Sequence, residues 1–268
     1  MRIRYIPADP AGNLTALTLT QVRPEERAAV AAQMMARCPE GFEQVGFIGE
    51  HAAKAVLPRL DMMGGEFCGN AVRAFAYLRA SEQYSGGSWV DRQRGGGESS
   101  LNISISGACQ PVAVELDAAH GKAYAQMPIP IGLEEIRVMG RTVPVVHMEG
   151  IDHALMPDCA PSQKLAQAVW EAMPAQDAQG VMFIQNTTMT PLVYVAATGT
   201  RVWESSCGSG TVALAWYLAR KLADGEHGFA FDEPGGRLEA RVTMRMGRAV
   251  RIVMGGSVLL GEEREIEL

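Results

Sequence analysis

The sequence predicts an α+β fold of two lobes related by a pseudo-twofold axis, each an antiparallel sheet wrapped around a central helix. A Cys-Gly motif followed by an Ala-rich apolar stretch occurs twice, at Cys68 and Cys207, about half of the 268-residue chain apart. The apolar spacing after each cysteine is typical of a buried helix. Short alternating strands surround both stretches without the regular strand–helix alternation of a parallel fold.

The strands and surface helices can be placed in chain order. Alternating patterns predict strands at 14–19, 101–105, 191–195, 238–246 and 250–254, and two amphipathic stretches predict helices at 24–37 and 162–173. The glycine-rich stretch 85–100 is predicted as a loop, and it lacks the lysine and the strand–helix context of a phosphate-binding loop. A polar break at 117–121 is predicted to separate the two halves.

Composition excludes several classes of protein. With 47% hydrophobic and 20% charged residues, the chain is neither disordered nor dependent on a staple of disulfides or metal. A net charge of −6 argues against a nucleic-acid partner. No apolar run reaches the roughly 18 residues of a membrane span, and no signal peptide is visible. The five cysteines form no CxxC pair, so we expect reduced thiols, no metal site and a cytoplasmic location.

Cys68 and Cys207 each precede a helix, which is informative about their chemistry. The free amides and the dipole of a helix N-terminus stabilise negative charge, so we expect both thiols to have lowered pKa values. Two such helix starts facing each other could hold one carboxylate, with a sulfur on each side of the attached carbon. One thiolate could then remove the Cα proton while the other thiol donates a proton to the opposite face. Cys38, Cys109 and Cys159 lack this context and are interpreted as ordinary thiols.

Both cysteine motifs resemble those of the diaminopimelate epimerase superfamily. The first is Phe-Cys-Gly-Asn-Ala at 67–71 and the second is Ser-Cys-Gly-Ser-Gly-Thr at 206–211. The resemblance covers nearly the whole chain, through segments 11–14, 43–48, 125–128, 234–238 and 254–258. Within the superfamily, the strings at 43–48, 65–71 and 203–211 are most similar to histidine racemases of the staphylopine, or opine metallophore, type.

The resemblance implies a cofactor-independent racemase or epimerase that works without pyridoxal phosphate (PLP). It implies a first lobe of residues 1–118 with 258–268, a second lobe of residues 119–257, and an active site in the cleft between them. Cys68 and Cys207 are then the catalytic pair, His153 the partner of Cys68, and Glu43 a supporting acid. The substrate-binding residues implied are Asn13, Gln44, Gly69, Asn70, Gly208 and Ser209. Glu66 and Glu204 either tune a thiol or sit favourably near a helix start.

Departures from the superfamily pattern bear on the substrate. Diaminopimelate epimerases carry a Glu-Arg pair before the second cysteine, and Thr198 and Gly199 stand at those positions here. A distal carboxylate would be poorly paired without that arginine. The expected partner is therefore a small-molecule substrate, an amino acid with another side chain, histidine first. A nucleic acid or a membrane is not expected as a partner.

Three alternatives remain open from the sequence. The first is an epimerase of diaminopimelate or a racemase of another amino acid. The second is a thiol-redox regulatory protein in which the two cysteines form a bridge, and the third is a binding module without catalysis. A homodimer is also left open.

Overall fold

The computed structural model describes residues 1–49, 57–81, 99–196 and 198–268. The predicted glycine-rich loop lies outside these residues as far as residue 98. The helices in the described ranges are α1 (Arg27–Arg37), α2 (Gly69–Ala80), α3 (Gln163–Ala172) and α4 (Gly208–Ala219). The strands there are β1 (Arg2–Asp9), β2 (Thr15–Thr18), β3 (Gln44–Ile48), β4 (Arg59–Met62), β5 (Ser99–Ile105), β6 (Val112–Asp117), β7 (Lys122–Gln126), β8 (Gly132–Val138), β9 (Arg141–Met148), β10 (Ile151–Pro157), β11 (Ala178–Gln185), β12 (Thr188–Val195), β13 (Thr200–Trp203), β14 (Gly225–Glu233), β15 (Gly236–Arg245), β16 (Arg248–Ser257), β17 (Leu259–Leu260) and β18 (Arg264–Glu267). The fold is mostly sheet with few helices, which agrees with the α+β prediction.

The chain divides into two compact units. The first contains Met1–Gln126 together with Gly255–Leu268, and the second contains Met127–Met254. The boundary lies between residues 126 and 127 instead of near the expected residue 118, because β7 pairs antiparallel with β6 and so belongs to the first unit. The return to the first unit begins at Gly255, a few residues before the expected position 258.

The first unit is built on a mixed sheet around α2. Strand β1 pairs with β2, β17 and β18, and the ladder continues through β3, β4, β5, β6 and β7. Helix α2 is buried on almost every side, because small residues such as Ala71, Ala74 and Ala76 let the strands approach closely. A second apolar cluster lies between α1 and the sheet, around Met34 and Phe47.

The second unit repeats this plan with α4 as its buried helix. Strands β8 to β13 form consecutive ladders, and β14 pairs with both β12 and β15. Helix α3 covers one face of the sheet with Ala166, Val169 and Trp170. Its N-terminus is capped by Ser162, whose hydroxyl oxygen accepts the amide of Leu165 at 3.3 Å.

Two expectations about this architecture are wrong. The sheets are not purely antiparallel, because parallel ladders join β2 to β3, β4 to β5, β10 to β11 and β12 to β14. The polar break at 117–121 is not the boundary between units but the turn of the β6–β7 hairpin. Asp117 caps this turn by accepting the amide of His120, and Gly121 closes it with a φ of 64°.

The remaining predicted elements lie close to the observed ones. The expected helix at 24–37 is a 3₁₀ turn, Pro24–Glu26, followed by α1. The expected helix at 162–173 is α3, and the predicted strands fall within β2, β5, β12, β15 and β16 or differ from them by one residue at an end. None of the helices in the described ranges is both long enough and apolar enough to cross a bilayer.

Candidate active site

In the first unit, Cys68 stands at the N-terminus of α2. Its backbone is extended, at φ −133° and ψ 112°, and its thiol accepts the amide of Ala71 at 3.4 Å. The amide of Asn70 and the side chain of Gln44 also hydrogen-bond the sulfur. Each of these contacts is a donor to sulfur, the arrangement that favours a thiolate.

The side chain of Gln44 connects Cys68 to a short polar chain. Its Nε2 donates to Thr15 Oγ1 at 2.7 Å and to Asn13 Oδ1 at 2.5 Å. Asn13 in turn donates from Nδ2 to Glu43 Oε2 at 2.7 Å. The structure therefore brings together the predicted residues Asn13, Glu43, Gln44 and Cys68.

The loop before Cys68 is fixed by close backbone packing. Gly107, at φ 72°, lies so near this loop that a Cβ atom there would be 2.2 Å from the backbone nitrogen of Phe67. The hydroxyl of Ser106 donates to the carbonyl of Glu66 at 3.0 Å. Glu66 itself is exposed and accepts the amide of Gly64, so its carboxylate lies near Cys68 without being buried beside it.

A buried arginine supports the first turn of α2. Arg73 has no exposed surface, and its Nε donates to Asn70 Oδ1 at 3.2 Å. Its other guanidinium nitrogens donate to the carbonyls of Pro10, Gly256 and Ser257. The positive charge thus lies under the same helix turn whose amides face Cys68.

In the second unit, Cys207 has the matching position at the N-terminus of α4. Its thiol accepts the amide of Gly210 at 3.4 Å and lies 3.6 Å from Ser209 Oγ. A Cβ at Gly210 would be 2.3 Å from Met182 Sδ and 3.2 Å from the sulfur of Cys207, so a side chain there would require Met182 to move. The first helical residue is Gly208 here and Gly69 in the first unit, which leaves both helix starts without a side chain at that position.

The charged groups around Cys207 are carboxylates. Glu233 is buried, and its two oxygens accept the amide of Cys207 at 2.6 Å and the hydroxyl of Thr211 at 2.5 Å. Glu204 hydrogen-bonds the Cys207 thiol directly. A carboxylate next to sulfur accepts a hydrogen bond from the S–H group, and its negative charge disfavours the thiolate, so it favours the neutral thiol.

Burial is the largest influence on the pKa of both thiols. It raises the pKa of Cys68, and the donors from Ala71, Gln44 and Asn70 offset this only in part. The pKa of Cys207 is raised further, first by burial and then by the charges of Glu204 and Glu233. The expectation that the helix N-termini lower both pKa values is therefore wrong, because desolvation of a thiolate outweighs the helix amides.

His153 lies wholly inside the second unit. Its Nε2 is 2.9 Å from Ser209 Oγ, and its Nδ1 is buried without a hydrogen-bond partner among the described residues. Burial lowers the pKa of His153 to about 3, so the ring is neutral near pH 7. The neighbouring strand provides space only because residue 180 is glycine, where a Cβ would be 2.3 Å from His153 Nδ1.

Comparison with known proteins identifies the family. The profile of the family described as "Histidine racemase CntK N-terminal domain" matches residues 2–263. A histidine racemase from Fusobacterium nucleatum is 30% identical, with 96% of this chain and 97% of the relative covered. The chain belongs to the histidine racemase family.

Other relatives agree with this membership. A histidine racemase from Staphylococcus aureus is 25% identical, covering 88% of this chain and 87% of the relative. The structure of a probable proline racemase from Agrobacterium radiobacter K84 with bound carbonate superposes with a TM-score of 0.66. It is 13% identical, covers 99% of this chain and 93% of its own, and supports the fold alone. The resemblance drawn from the two cysteine motifs is confirmed, and the chain is an enzyme of the isomerase class.

Membership in the histidine racemase family does not assign roles to individual residues, so their roles are inferred from the geometry of the site. The resemblance pairs His153 with Cys68, a residue of the other unit, and that pairing stays a prediction. The contact that the structure gives His153 is with Ser209, beside Cys207. Thr198 and Gly199 form the exposed tip of the β12–β13 hairpin, where Gly199 has a φ of 65°.

Some residues of the candidate site could not be identified from the sequence. Glu233 reaches Cys207 only because the β14–β15 hairpin folds back, and Gly180 matters only as the cross-strand neighbour of His153. Thr211 ends the second cysteine motif and Arg73 lies two residues after the first, and a hydroxyl or charged residue inside an apolar helix is a usable signal in the sequence. Within the described ranges, no group of three or more His, Cys, Asp or Glu side chains is arranged to hold a metal ion.

Proposed function

We propose that the protein is an amino-acid racemase that interconverts L- and D-histidine with two cysteines and no PLP. One observation carries the proposal: each unit places a cysteine as the N-cap of its buried helix, with the sulfur accepting a helix amide. Membership in the histidine racemase family supports the same reaction.

The proposed mechanism is proton transfer on opposite faces of Cα. One cysteine, as thiolate, takes the Cα proton, and the other, as thiol, donates its S–H proton to the opposite face of the carbanion. The free amides at the two helix starts hold the substrate carboxylate and stabilise the negative charge that develops on it. After each turnover the thiol and thiolate states have exchanged between Cys68 and Cys207. The arrangement requires two pseudo-twofold lobes that present both helix starts to one substrate.

The proposed recognition of histidine uses Glu43. Its carboxylate is half-buried and is oriented by the 2.7 Å hydrogen bond from Asn13. An imidazole offers a ring N–H that a carboxylate accepts, and a cationic imidazolium is attracted further. A second carboxylate on the substrate would instead be repelled, which disfavours diaminopimelate and glutamate.

The cysteine assignment is tested by replacing each thiol with a hydroxyl. We expect Cys68→Ser and Cys207→Ser each to lose at least about 100-fold in histidine racemisation, because a hydroxyl is a far weaker base than a thiolate. Racemisation is followed by chiral chromatography of L- and D-histidine without PLP, and Cα–H exchange in D2O by NMR.

Cys109→Ser is the matched control, because this cysteine is exposed and is not a helix cap. Its activity should equal that of the parent protein. Full racemisation by Cys207→Ser or Cys68→Ser would contradict the two-base mechanism. Absence of exchange with every amino acid would instead favour the redox or binding alternatives.

The substrate assignment is tested by removing the charge of Glu43. We expect Glu43→Gln to lower kcat/KM for histidine by about 10- to 100-fold, the value of one hydrogen bond to a charged group. The comparison uses L-histidine, diaminopimelate and L-glutamate. A parent kcat/KM for diaminopimelate at or above that for histidine would contradict histidine as the substrate while leaving the two-cysteine mechanism intact.

A further inference from the structure

We propose that His153 is a positioning residue that acts on Cys207 through the hydroxyl of Ser209. This inference deepens the proposed function, since it assumes that Cys207 alternates between thiol and thiolate. It assigns to His153 a fixed hydrogen-bond chain within the second unit: Nε2–H to Ser209 Oγ, and Oγ–H to Cys207 Sγ.

The distances of this chain are short enough for two consecutive hydrogen bonds. His153 Nε2 lies 2.9 Å from Ser209 Oγ, and Ser209 Oγ lies 3.6 Å from the sulfur of Cys207. A hydroxyl has one proton to donate, so the direction of one bond determines the direction of the other. If His153 donates to Oγ, the hydroxyl proton is available to sulfur.

The surroundings of His153 select that direction. Its Nδ1 is buried with no hydrogen-bond partner among the described residues. An N–H left without an acceptor in the interior is rarer and less favourable than an unused lone pair, so the proton belongs on Nε2. The backbone of Gly180 lies beside the Nδ1 edge of the ring, where a Cβ atom would be 2.3 Å from Nδ1.

Burial also excludes a Cys–His ion pair. Because burial holds the ring neutral, His153 does not take the thiol proton as a general base. Its contribution is to orient Ser209 as a donor, which stabilises the thiolate of Cys207 once it has formed. His153 is fully buried and acts only through Ser209 in this proposal.

Cys207 then has one partner for each of its two states. As a thiol it donates to Glu204, and as a thiolate it accepts from Ser209. Glu233, on the amide of Cys207, adds negative charge that favours the thiol. The Ser209 chain opposes these two carboxylates, so removing it should make Cys207 a weaker acid.

The test measures the thiol of Cys207 without any substrate. The parent protein, Ser209→Ala, Ser209→Thr, His153→Leu and the Ser209→Ala/His153→Leu double variant are alkylated with iodoacetamide over a range of pH. Peptide mass spectrometry resolves each cysteine, and the pH midpoint of the alkylation rate reports acidity independently of reagent access. Cys68 in the same samples is the internal control.

We expect Ser209→Ala to raise the Cys207 midpoint by about one pH unit, a tenfold loss of thiolate, which is the size of one hydrogen bond to a charged group. His153→Leu should raise it in the same direction, and Ser209→Thr should keep the parent midpoint. In the Ser209→Ala background, His153→Leu should add nothing, because the chain is already broken. The Cys68 midpoint should stay constant.

Two results would overturn the proposal. One is an unchanged Cys207 midpoint in Ser209→Ala. The other is a His153→Leu shift of equal size with and without the Ser209 hydroxyl, which would mean a general packing effect. The Ser209 variants alone decide the first point even where His153→Leu fails to fold. Because no turnover is measured, a failure of the racemase assignment is seen separately, as absent histidine exchange in D2O.

Discussion

At the scale of residues, the two cysteines occupy equivalent positions with opposite surroundings. Cys68 accepts hydrogen bonds from three donors, and the buried guanidinium of Arg73 lies under the same helix turn. Cys207 has the carboxylates of Glu204 and Glu233 beside it. Although burial raises both pKa values, the pKa of Cys207 is raised further, so we infer that Cys68 is the more acidic of the two thiols.

His153 also makes the protein sensitive to acid. Because the folded pKa is about 3 and the unfolded value 6.5, the unfolded chain binds more protons between these values. Its contribution to stability is complete above about pH 6.5 and falls by up to about 1.4 kcal/mol per pH unit towards pH 3. Urea unfolding from pH 7 to pH 4.5 should show this slope in the parent and a smaller one in His153→Gln. Equal slopes in both proteins would contradict a neutral buried histidine.

At the scale of elements, the sequence predicts what depends on local pattern. The helices after the two cysteine motifs, α1 and α3 follow from the spacing of apolar residues, and the structure contains all of them. The parallel ladders were not predictable, because strand direction depends on partners distant in sequence. The sequence wrongly predicts a boundary between units at the β6–β7 turn, since a polar hairpin turn and a polar linker have similar compositions.

The β10–β11 ladder gives a prediction at this scale. Gly180→Ala places a methyl group 2.3 Å from His153 Nδ1, so the ring or the strand must move. We expect a loss of about 1–3 kcal/mol in the free energy of unfolding and weaker racemisation. The measurement is urea unfolding at pH 7.

The matched control for this change is Gly228→Ala. Gly228 also lies in a strand, β14, and a Cβ there meets nothing within 4 Å. It should change stability by less than about 0.5 kcal/mol. Equal effects of the two substitutions would mean that the space beside His153 is not what requires glycine at position 180.

At the scale of the whole molecule, the second unit is an insertion in the first. The chain leaves the first unit after Gln126 and returns at Gly255, and the returning segment contributes β17 and β18 to β1. The same segment supplies the Gly256 and Ser257 carbonyls that accept from Arg73. The first turn of α2 is therefore supported by residues from the end of the chain.

Removal of that segment should unfold one unit selectively. In a chain ended at Met254, β1 loses two strand partners and Arg73 loses two acceptors. We expect the amides of β1 and α2 to lose protection from hydrogen exchange by at least about 100-fold, while α4 stays protected. Hydrogen-exchange mass spectrometry measures both. Glu263→Ala, which removes an exposed ion pair with Arg4, is the control and should leave protection unchanged. Retained protection in β1 would contradict the structural role of the segment.

The pairing of β1 with β18 has a consequence for synthesis on the ribosome. Strand β1 leaves the exit tunnel before the inserted unit, and its partner β18 leaves after it. A nascent chain therefore carries an unfinished sheet edge while the inserted unit, continuous in sequence, is free to fold on its own. Arg73 likewise cannot form its hydrogen bonds to the carbonyls of residues 256 and 257 until those residues have been added. The helix turn that bears Cys68 is thus completed late, after the helix that bears Cys207 has been made.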